Sequence, residues 1–226
     1  ATDYLYVVDS NVGWSKADRN IERRLRYTVD LGKPLRVRAT LNLAYYNHSG
    51  PGSAGCVPQW LNQGTNYSDL KNACWWNYWR VYVPQGSKLL SNTHLGLPEY
   101  SVAVEIGRGQ PDDDTVTVYS SFDKTVVSGL FALGAGNSTE VNLVYDLPIV
   151  VDRSGGEIDY RLLIQKQPGS RSRAVEVEFV LPPGYTLVSS SIAPAFEEDS
   201  RVAFTLVAER DTVLTAVFAK GSDSAG

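Results

Sequence analysis

The sequence predicts an all-β protein made of tandem antiparallel β-sandwich units of immunoglobulin-like type, with at most one or two short helical turns. Apolar and polar residues alternate over many short segments, as they do in strands that bury one face. Runs rich in Gly, Pro, Asn and Asp separate these segments at close spacing and are typical of turns. Because no long helical period interrupts this pattern, packed sheets are the favoured architecture. The one helical turn that the sequence predicts lies at 68–72.

Composition and charge exclude several classes of protein. The 226 residues include 43% hydrophobic residues, which is enough to build a core. The formal net charge of -4 argues against nucleic acid as a partner, because nucleic-acid-binding domains are usually basic. No stretch is long and apolar enough to span a bilayer, so we expect no membrane insertion by this segment. No charged region followed by an apolar one opens the chain, so any export signal is expected to be missing or already removed.

The clearest alternation lies in residues 21–31 and 35–45, on either side of a Gly-Lys-Pro turn. Apolar residues occupy the odd positions and polar residues the even ones, which predicts an antiparallel hairpin with one wet face. Four arginines mark that wet face: Arg24, Arg26, Arg36 and Arg38. They indicate either a solvated face that discourages edge aggregation or a contact patch for an acidic partner or anionic glycan.

The two cysteines, Cys56 and Cys74, predict a disulfide in an oxidising compartment. Closing a loop of this size would stabilise the fold by roughly 3 kcal/mol on the chain-entropy model. The alternative is a pair of buried free thiols. Without a Cys-x-x-Cys motif, and with only two histidines, the chain offers no recognisable metal site, and we expect no cofactor.

The segment at 75–83 concentrates aromatic residues on both faces of a predicted strand. Its odd positions, including Trp75 and Trp79, are expected in the core. Its even positions suit a binding surface, because flat rings beside polar groups fit the faces of sugars. The candidate binding residues are Trp60, Tyr67, Trp76, Tyr78 and Arg80. The alternative is that these rings pack around the disulfide as ordinary core.

The turn-rich run at 107–114 lies between short strands predicted at 102–106 and 115–119, and it suggests a domain boundary. We therefore predict a first sandwich at 1–110 with the disulfide loop at 56–74, a second at 111–220, and a disordered tail at 221–226. A weak internal echo supports two related units, because a strand followed by a Pro-x-Gly corner occurs at 81–91 and again at 180–189. The alternative is one large sandwich at 1–220.

No catalytic residues are predicted. The histidines, His48 and His94, lie in turn-rich loops, and no Gly-x-Ser-x-Gly elbow accompanies them. The acidic runs at 112–114 and 197–199 lack the spaced pattern of a calcium loop and are read as solvated turns. The sequons at Asn47, Asn66 and Asn137 lie in polar stretches, and we infer no glycosylation from them.

The runs Asn-Val-Gly-x-x-Lys at 11–16 and Gln-Lys-Gln-Pro-Gly at 165–169 are the most specific motifs in the chain. Together with the sequence from about residue 4 to residue 187, they resemble a bacterial family, the one numbered four-zero-one-two among the domains of unknown function. The resemblance implies the C-terminal extracellular part of a large surface protein tethered by an N-terminal membrane segment. The family offers no catalytic residues to carry over.

Together these observations predict a non-enzymatic extracellular module that serves as a scaffold or interaction unit of a bacterial surface protein. One alternative is a carbohydrate-binding module for the cell envelope. A second is a subunit that self-assembles into a surface layer or filament through exposed strand edges. The expected partners are cell-wall glycan or another surface protein.

Overall fold

A computed structural model describes residues 2–50, 56, 66–148 and 150–221 of the chain. Strands account for 59% of the structure and helices for 7%. The strands form two sheets, and buried apolar residues from both sheets make one core cluster. The all-β prediction is therefore confirmed, in a sandwich-like arrangement.

Short turns connect the strands, and helices are few. The described strands are β1 (Asp3–Asn11), β2 (Ile21–Lys33), β3 (Arg36–Asn47), β4 (Trp75–Pro84), β5 (Lys88–Asn92), β6 (Thr117–Ser121), β7 (Lys124–Leu133), β8 (Ser138–Leu147), β9 (Val151–Asp152), β10 (Glu157–Gln165), β11 (Arg173–Val180), β12 (Tyr185–Ser190), β13 (Phe196–Glu198), β14 (Arg201–Ala208) and β15 (Thr212–Lys220). The helices are α1 (Tyr67–Lys71) and α2 (Val102–Glu105), and 3₁₀ turns lie at Ala17–Asn20 and Ser154–Gly156.

Each sheet joins strands from the earlier and later parts of the chain. Sheet A has the order β12-β15-β10-β1-β4-β7-β6, with β9 beside β10, and sheet B has the order β13-β14-β11-β2-β3-β8-β5. In both sheets the two parts meet at a parallel pair, β1 with β10 and β2 with β11. Strands β6, β7 and β8 pair with the first part of the chain or with each other. The division into two units at 110/111 stays a prediction, with one large sandwich as its alternative.

The predicted hairpin at 21–45 is confirmed, because β2 and β3 pair antiparallel along most of their length. Its apolar odd positions face the core. On the outer face Arg24 pairs with Glu22, and Arg26 pairs with Glu176 on the neighbouring β11. These side chains are well exposed, so this is a solvated face carrying surface ion pairs of small energetic weight.

The two Pro-x-Gly corners have the same backbone form. In each, the amide that follows the glycine donates to the carbonyl oxygen of the first proline, Pro84 or Pro182, over 3.1 Å. The glycines adopt positive φ, 89° at Gly86 and 78° at Gly184, as the third position of a type II turn requires. The first corner leads from sheet A to sheet B, and the second leads from sheet B to sheet A.

One local prediction is wrong. Residues 102–106 were expected to form a strand, but 102–105 form α2. The buried Ser101 caps this helix, because its side-chain oxygen accepts a hydrogen bond from the amide of Val104. The run is so short that its apolar residues fit either period. The short helix expected near 68–72 is confirmed as α1.

The predicted disulfide between Cys56 and Cys74 is confirmed, and the Cα atoms of the two residues lie 4.9 Å apart. Most of the loop that it closes lies outside the described residues, and so does the predicted tail beyond residue 221. Within the described part of the chain, no helix has the length and apolar character needed to cross a membrane.

Candidate functional site

Strand β4 lies between β1 and β7 in sheet A, and its odd-numbered rings face the core as predicted. Trp75 and Trp79 are completely buried. Trp75 packs against the rings of Tyr45 and Phe131, with centroids 5.4 Å and 5.6 Å away. Trp79 needs the glycine at Gly129 on β7, because a Cβ atom there would lie 2.6 Å from its ring. These rings are core residues.

The opposite face of β4 carries partly exposed rings, and neighbouring strands extend the set. Tyr6 on β1 lies directly opposite Tyr82 on β4, with ring centroids 5.5 Å apart. Since side chains repeat every second residue along a strand, pairing in this register places further tyrosines of β1, β4 and β6 on the same face. We call this surface the tyrosine face. It comprises Tyr4, Tyr6, Tyr78, Arg80, Tyr82 and Tyr119.

Small residues on β7 lie beneath these side chains and are completely buried. Ser128 lies opposite Arg80, and Val126 lies opposite Tyr82. The Tyr78 hydroxyl donates to Ser128 Oγ over 3.2 Å. This contact and the cross-strand packing limit the rotation of the rings, so the face is a preorganised surface.

Arg80 is the charged residue at the centre of the tyrosine face. Its guanidinium carbon lies 5.6 Å from the centre of the Tyr78 ring, and its Nη2 donates to Ser10 Oγ over 3.1 Å. Its Nε is buried and has no hydrogen-bond partner. Burial raises the pKa of Tyr6 and of Tyr119, and the positive charge of Arg80 opposes the rise at both.

Trp76 lies at one end of this face but is only 2% exposed. It lines an apolar groove of about 570 Å³ together with Val12, Trp14, Leu130 and residues of α2. Trp14 is 73% exposed and has a positive φ of 59°, which is unusual for a bulky residue. The neighbouring Gly13 is packed so closely that a Cβ atom would lie 2.6 Å from the Trp76 ring.

The remaining binding candidates lie elsewhere. Tyr67 is exposed at the start of α1, where the ammonium of Lys71 lies 5.3 Å from its ring centre. Helix α1 packs near the 3₁₀ turn at Ala17–Asn20 rather than on sheet A. Trp60 lies outside the described residues. The structure therefore brings Tyr78 and Arg80 together, with Trp76 at the border of the same face and Tyr67 apart from it.

Below the sheet surface, β1 places Asp9 in a largely buried ionic network. One carboxylate oxygen accepts from Arg23 Nε at 2.9 Å and from Arg173 Nη2 at 2.8 Å. The other accepts from the Tyr45 hydroxyl and the Asn77 amide, each at 2.9 Å. Burial alone would raise the pKa of Asp9, but the two arginine charges and these hydrogen bonds hold it below its usual value.

The two runs that carry the family resemblance meet at this network. Gln167 accepts from the Asp9 amide and donates to the Asp9 carbonyl oxygen, both at 2.9 Å. Gln167 and Asn11 also line a polar cleft of about 500 Å³, in which Arg19 and Arg171 lie. In this cleft the segment that follows β10 packs against the segment that follows β1.

A second buried acid, Asp3, is the first residue of β1. Its carboxylate accepts hydrogen bonds from the hydroxyls of Tyr27 and Tyr160, the former at 2.7 Å. Burial raises the pKa of Asp3 to about 6, although hydrogen bonds from Tyr160, Tyr27 and the Tyr4 amide lower it in part. Asp3 is completely enclosed, so its role is in packing and stability.

The histidines lie at the surface, as expected. His48 Nε2 is 2.8 Å from a Glu22 carboxylate oxygen, and His94 Nδ1 is 3.8 Å from Asp114. In the part of the chain that the structure describes, no cluster of three or more His, Cys, Asp or Glu residues could hold a metal ion.

The fold and the tyrosine face define a two-sheet β protein with an aromatic outer surface. No protein-family model and no curated protein matches the chain, so membership of the family named above stays a prediction. Among solved structures, a proposed nutrient-binding protein of Legionella pneumophila matches 96% of this chain and 71% of its own, at 7% identity and a TM-score of 0.47. An M1 zinc metallopeptidase of Deinococcus radiodurans matches 89% of this chain at 10% identity and a TM-score of 0.41.

The chain spans 43% of that metallopeptidase's length, which is less than half. Similarity at these levels carries no conclusion about activity or ligand.

Proposed function

We propose that the chain is a non-enzymatic, extracellular β-sandwich module, built of immunoglobulin-like units, of a membrane-anchored bacterial surface protein. We further propose that its interaction role is to bind cell-envelope glycan through the tyrosine face. The observation that carries this proposal is the set of partly exposed tyrosines that three strands of sheet A place on one surface. The disulfide is compatible with an oxidising compartment outside the cytoplasm.

The chemistry of the face suits a saccharide. A tyrosine ring covers the apolar face of a sugar, and its hydroxyl group exchanges hydrogen bonds with sugar hydroxyls. The rings lie on strands rather than on loops, and they lose little side-chain entropy on binding. From Tyr78 to Tyr82 the strand rises by roughly 13 Å, which is long enough for a short stretch of a linear polysaccharide.

The substitution Tyr82→Ala should weaken glycan binding about tenfold, which is the effect of removing roughly 1.4 kcal/mol of ring contact. Isothermal titration calorimetry against a panel of wall polysaccharides measures this change. The matched control is Tyr67→Ala, which removes an exposed tyrosine on α1 away from the face and should leave affinity unchanged. Thermal melting of both variants checks that the fold is kept. If no polysaccharide binds, or if both variants bind like the parent, the proposal is wrong.

A second candidate function is self-association through the free edge of sheet A. Strand β6 ends the sheet, and Val118 on it is 48% exposed. The adjoining turn places Phe122 at 88% exposure with a positive φ. An exposed edge with apolar residues can pair with a second copy.

If this edge is used, sedimentation velocity at rising protein concentration should show oligomers, and Val118→Lys should shift them to monomer. Leu35→Lys is the control, because Leu35 is a fully exposed apolar residue in the β2–β3 turn rather than on an edge. Monomer at every concentration counts against self-association and leaves glycan binding as the sole candidate.

A further inference from the structure

We propose that the glycan bound by the tyrosine face carries an oxyanion, and that Arg80 binds this group. The inference rests on the proposed function and names the ligand class of the same face. The oxyanion is a sugar carboxylate or a phosphate. Both groups present two oxygen atoms bonded to one central atom, which a guanidinium can bind with two N–H groups.

The first observation is that Arg80 lacks a counter-ion. A guanidinium has five N–H donors. The contacts of Arg80 are a hydrogen bond to Ser10 Oγ and the face of the Tyr78 ring, and its Nε is buried without a partner. Among the described residues, no carboxylate lies within ion-pair distance of it. A partly buried cation without an anion is costly to maintain.

The other partly buried arginines each have a carboxylate or two carbonyl oxygens as acceptors. Arg23 and Arg173 share the Asp9 carboxylate, and Arg38 pairs with Asp146. Arg153 donates to two backbone carbonyl oxygens. The Nε of Arg153 is buried without a partner, as that of Arg80 is, but Arg153 has two carbonyl acceptors. In the described part of the chain, Arg80 has one hydroxyl acceptor and no carboxylate, which makes it the least satisfied of the partly buried arginines.

The second observation is the sign of the charge around Arg80. The chain has a net charge of -4, yet the cations on this face are Arg80 and Lys124, whose ammonium lies 4.8 Å from the Tyr4 ring centre. Burial is the main cause of the raised pKa of Tyr4 and Tyr6, and the negative charge of Asp211, at the end nearer β10, adds to it. The centre of the face is thus a positive patch on an acidic protein, which favours an anionic ligand.

The third observation is geometric. Arg80 lies between the rings that would stack on sugars, with Tyr78 two positions before it and Tyr82 two positions after it on β4. An oxyanion on a saccharide that crosses the rings would meet the guanidinium at the middle of the face. The contact with Tyr78 limits the positions that the guanidinium can take. Because Nε is buried, the two Nη groups are the donors that can be presented together to one oxyanion.

The test compares polymers that differ in charge. Polygalacturonate, its fully methyl-esterified form and a glycerol-phosphate teichoic acid are titrated into the intact chain at low salt. The parent protein should bind at least one of the two anionic polymers about tenfold more tightly than the neutral ester, which is the effect of one charge-assisted contact. The tighter of the two identifies a carboxylate or a phosphate as the recognised group. The preference should shrink as sodium chloride is added.

Arg80→Gln should remove this preference and leave binding of the neutral ester within about twofold, because the stacking rings remain. Arg80→Lys keeps the charge but cannot make the bidentate contact, so its preference for the anionic polymers should lie between those of the parent and Arg80→Gln. Arg24→Gln removes an exposed arginine from sheet B and should behave like the parent.

The outcomes separate the two proposals. If Tyr82→Ala weakens binding but the parent takes acidic and neutral polymers equally, glycan binding stands and the oxyanion is wrong. If Arg80→Gln retains the acidic preference, Arg80 is not the recognising residue and the inference fails. If none of the polymers and no other wall polysaccharide binds, the proposed function fails and this inference fails with it.

Discussion

Asp9→Asn should lower the free energy of unfolding by about 3–5 kcal/mol, which is the usual cost of removing one partner from a buried ionic network. The change removes the negative charge that Arg23 and Arg173 share. It leaves the largely buried guanidinium of Arg173 without an anion, and leaves Arg23 only the more exposed Asp18, 3.3 Å away. It also exchanges an acceptor oxygen for an amide donor that faces other donors. Urea unfolding followed by tryptophan fluorescence measures the loss.

The control for Asp9→Asn is Glu176→Gln, which breaks the exposed ion pair with Arg26 on sheet B and should cost at most about 1 kcal/mol. The pH dependence gives a second check. The folded pKa of Asp9 lies below its usual value, so its contribution is present at neutral pH and is lost as pH falls through that folded pKa. The variant should lack this acid-dependent loss. Equal stability of Asp9→Asn and Glu176→Gln would show that the network contributes little.

The free energy of unfolding should also fall by about 2 kcal/mol as pH rises from 4 to 6, through Asp3 alone. Its folded pKa is about 6, against an ordinary value of 3.8. Between these values the folded chain holds the proton and the unfolded chain has released it, so each rise in pH favours unfolding. The raised pKa therefore makes Asp3 least costly to bury below pH 4 and most costly above pH 6.

Chemical denaturation at several pH values between 4 and 7 measures this slope. Asp3→Asn cannot ionise, so subtracting its curve from that of the parent isolates the Asp3 contribution. Asp159→Asn, at an exposed position of β10, should leave the slope of the parent unchanged. If the parent and Asp3→Asn have parallel curves between pH 4 and 6, the buried carboxyl does not titrate as proposed.

Alternation along single strands was enough to predict much of the fold. It identified the hairpin of β2 and β3 and the buried odd positions of β4, because the side-chain period of a strand is set by the backbone itself. The disulfide followed from there being only two cysteines in the chain. These features depend on local geometry or on counting, and neither requires knowledge of which strands are neighbours.

The candidate site could be predicted only in part, because it depends on strand pairing. Tyr78 and Arg80 were identified from β4, but Tyr6 and Tyr119 join them only because β1 and β6 belong to the same sheet. A period of two assigns a residue to a face without saying which strand lies beside it. The exposed Trp14 was missed for a related reason, since it follows a strand in a turn that alternation does not describe.

The buried acids could not be predicted from pattern. Asp3 and Asp9 occupy core-facing positions of β1, where alternation leads us to expect apolar side chains. Their partners come from distant strands, Tyr160 from β10 for Asp3 and Arg173 from β11 for Asp9. An acid at such a position is tolerated only because these partners are present. The sequence around Asp3 and Asp9 does not indicate which distant residues these partners are.

The two parallel strand pairs also constrain how the chain can reach this fold. In β1 the residue Asp3 lies beside Leu162, and in β2 the residue Arg24 lies beside Ala174. Closing contacts between segments so distant costs chain entropy before it yields packing energy, so these pairs are expected to form late. Until β10 and β11 have been synthesised, the strands destined for the middle of each sheet have an unpaired edge. The nascent protein is therefore most vulnerable to mispairing with other chains at the positions that end up best protected in the finished molecule.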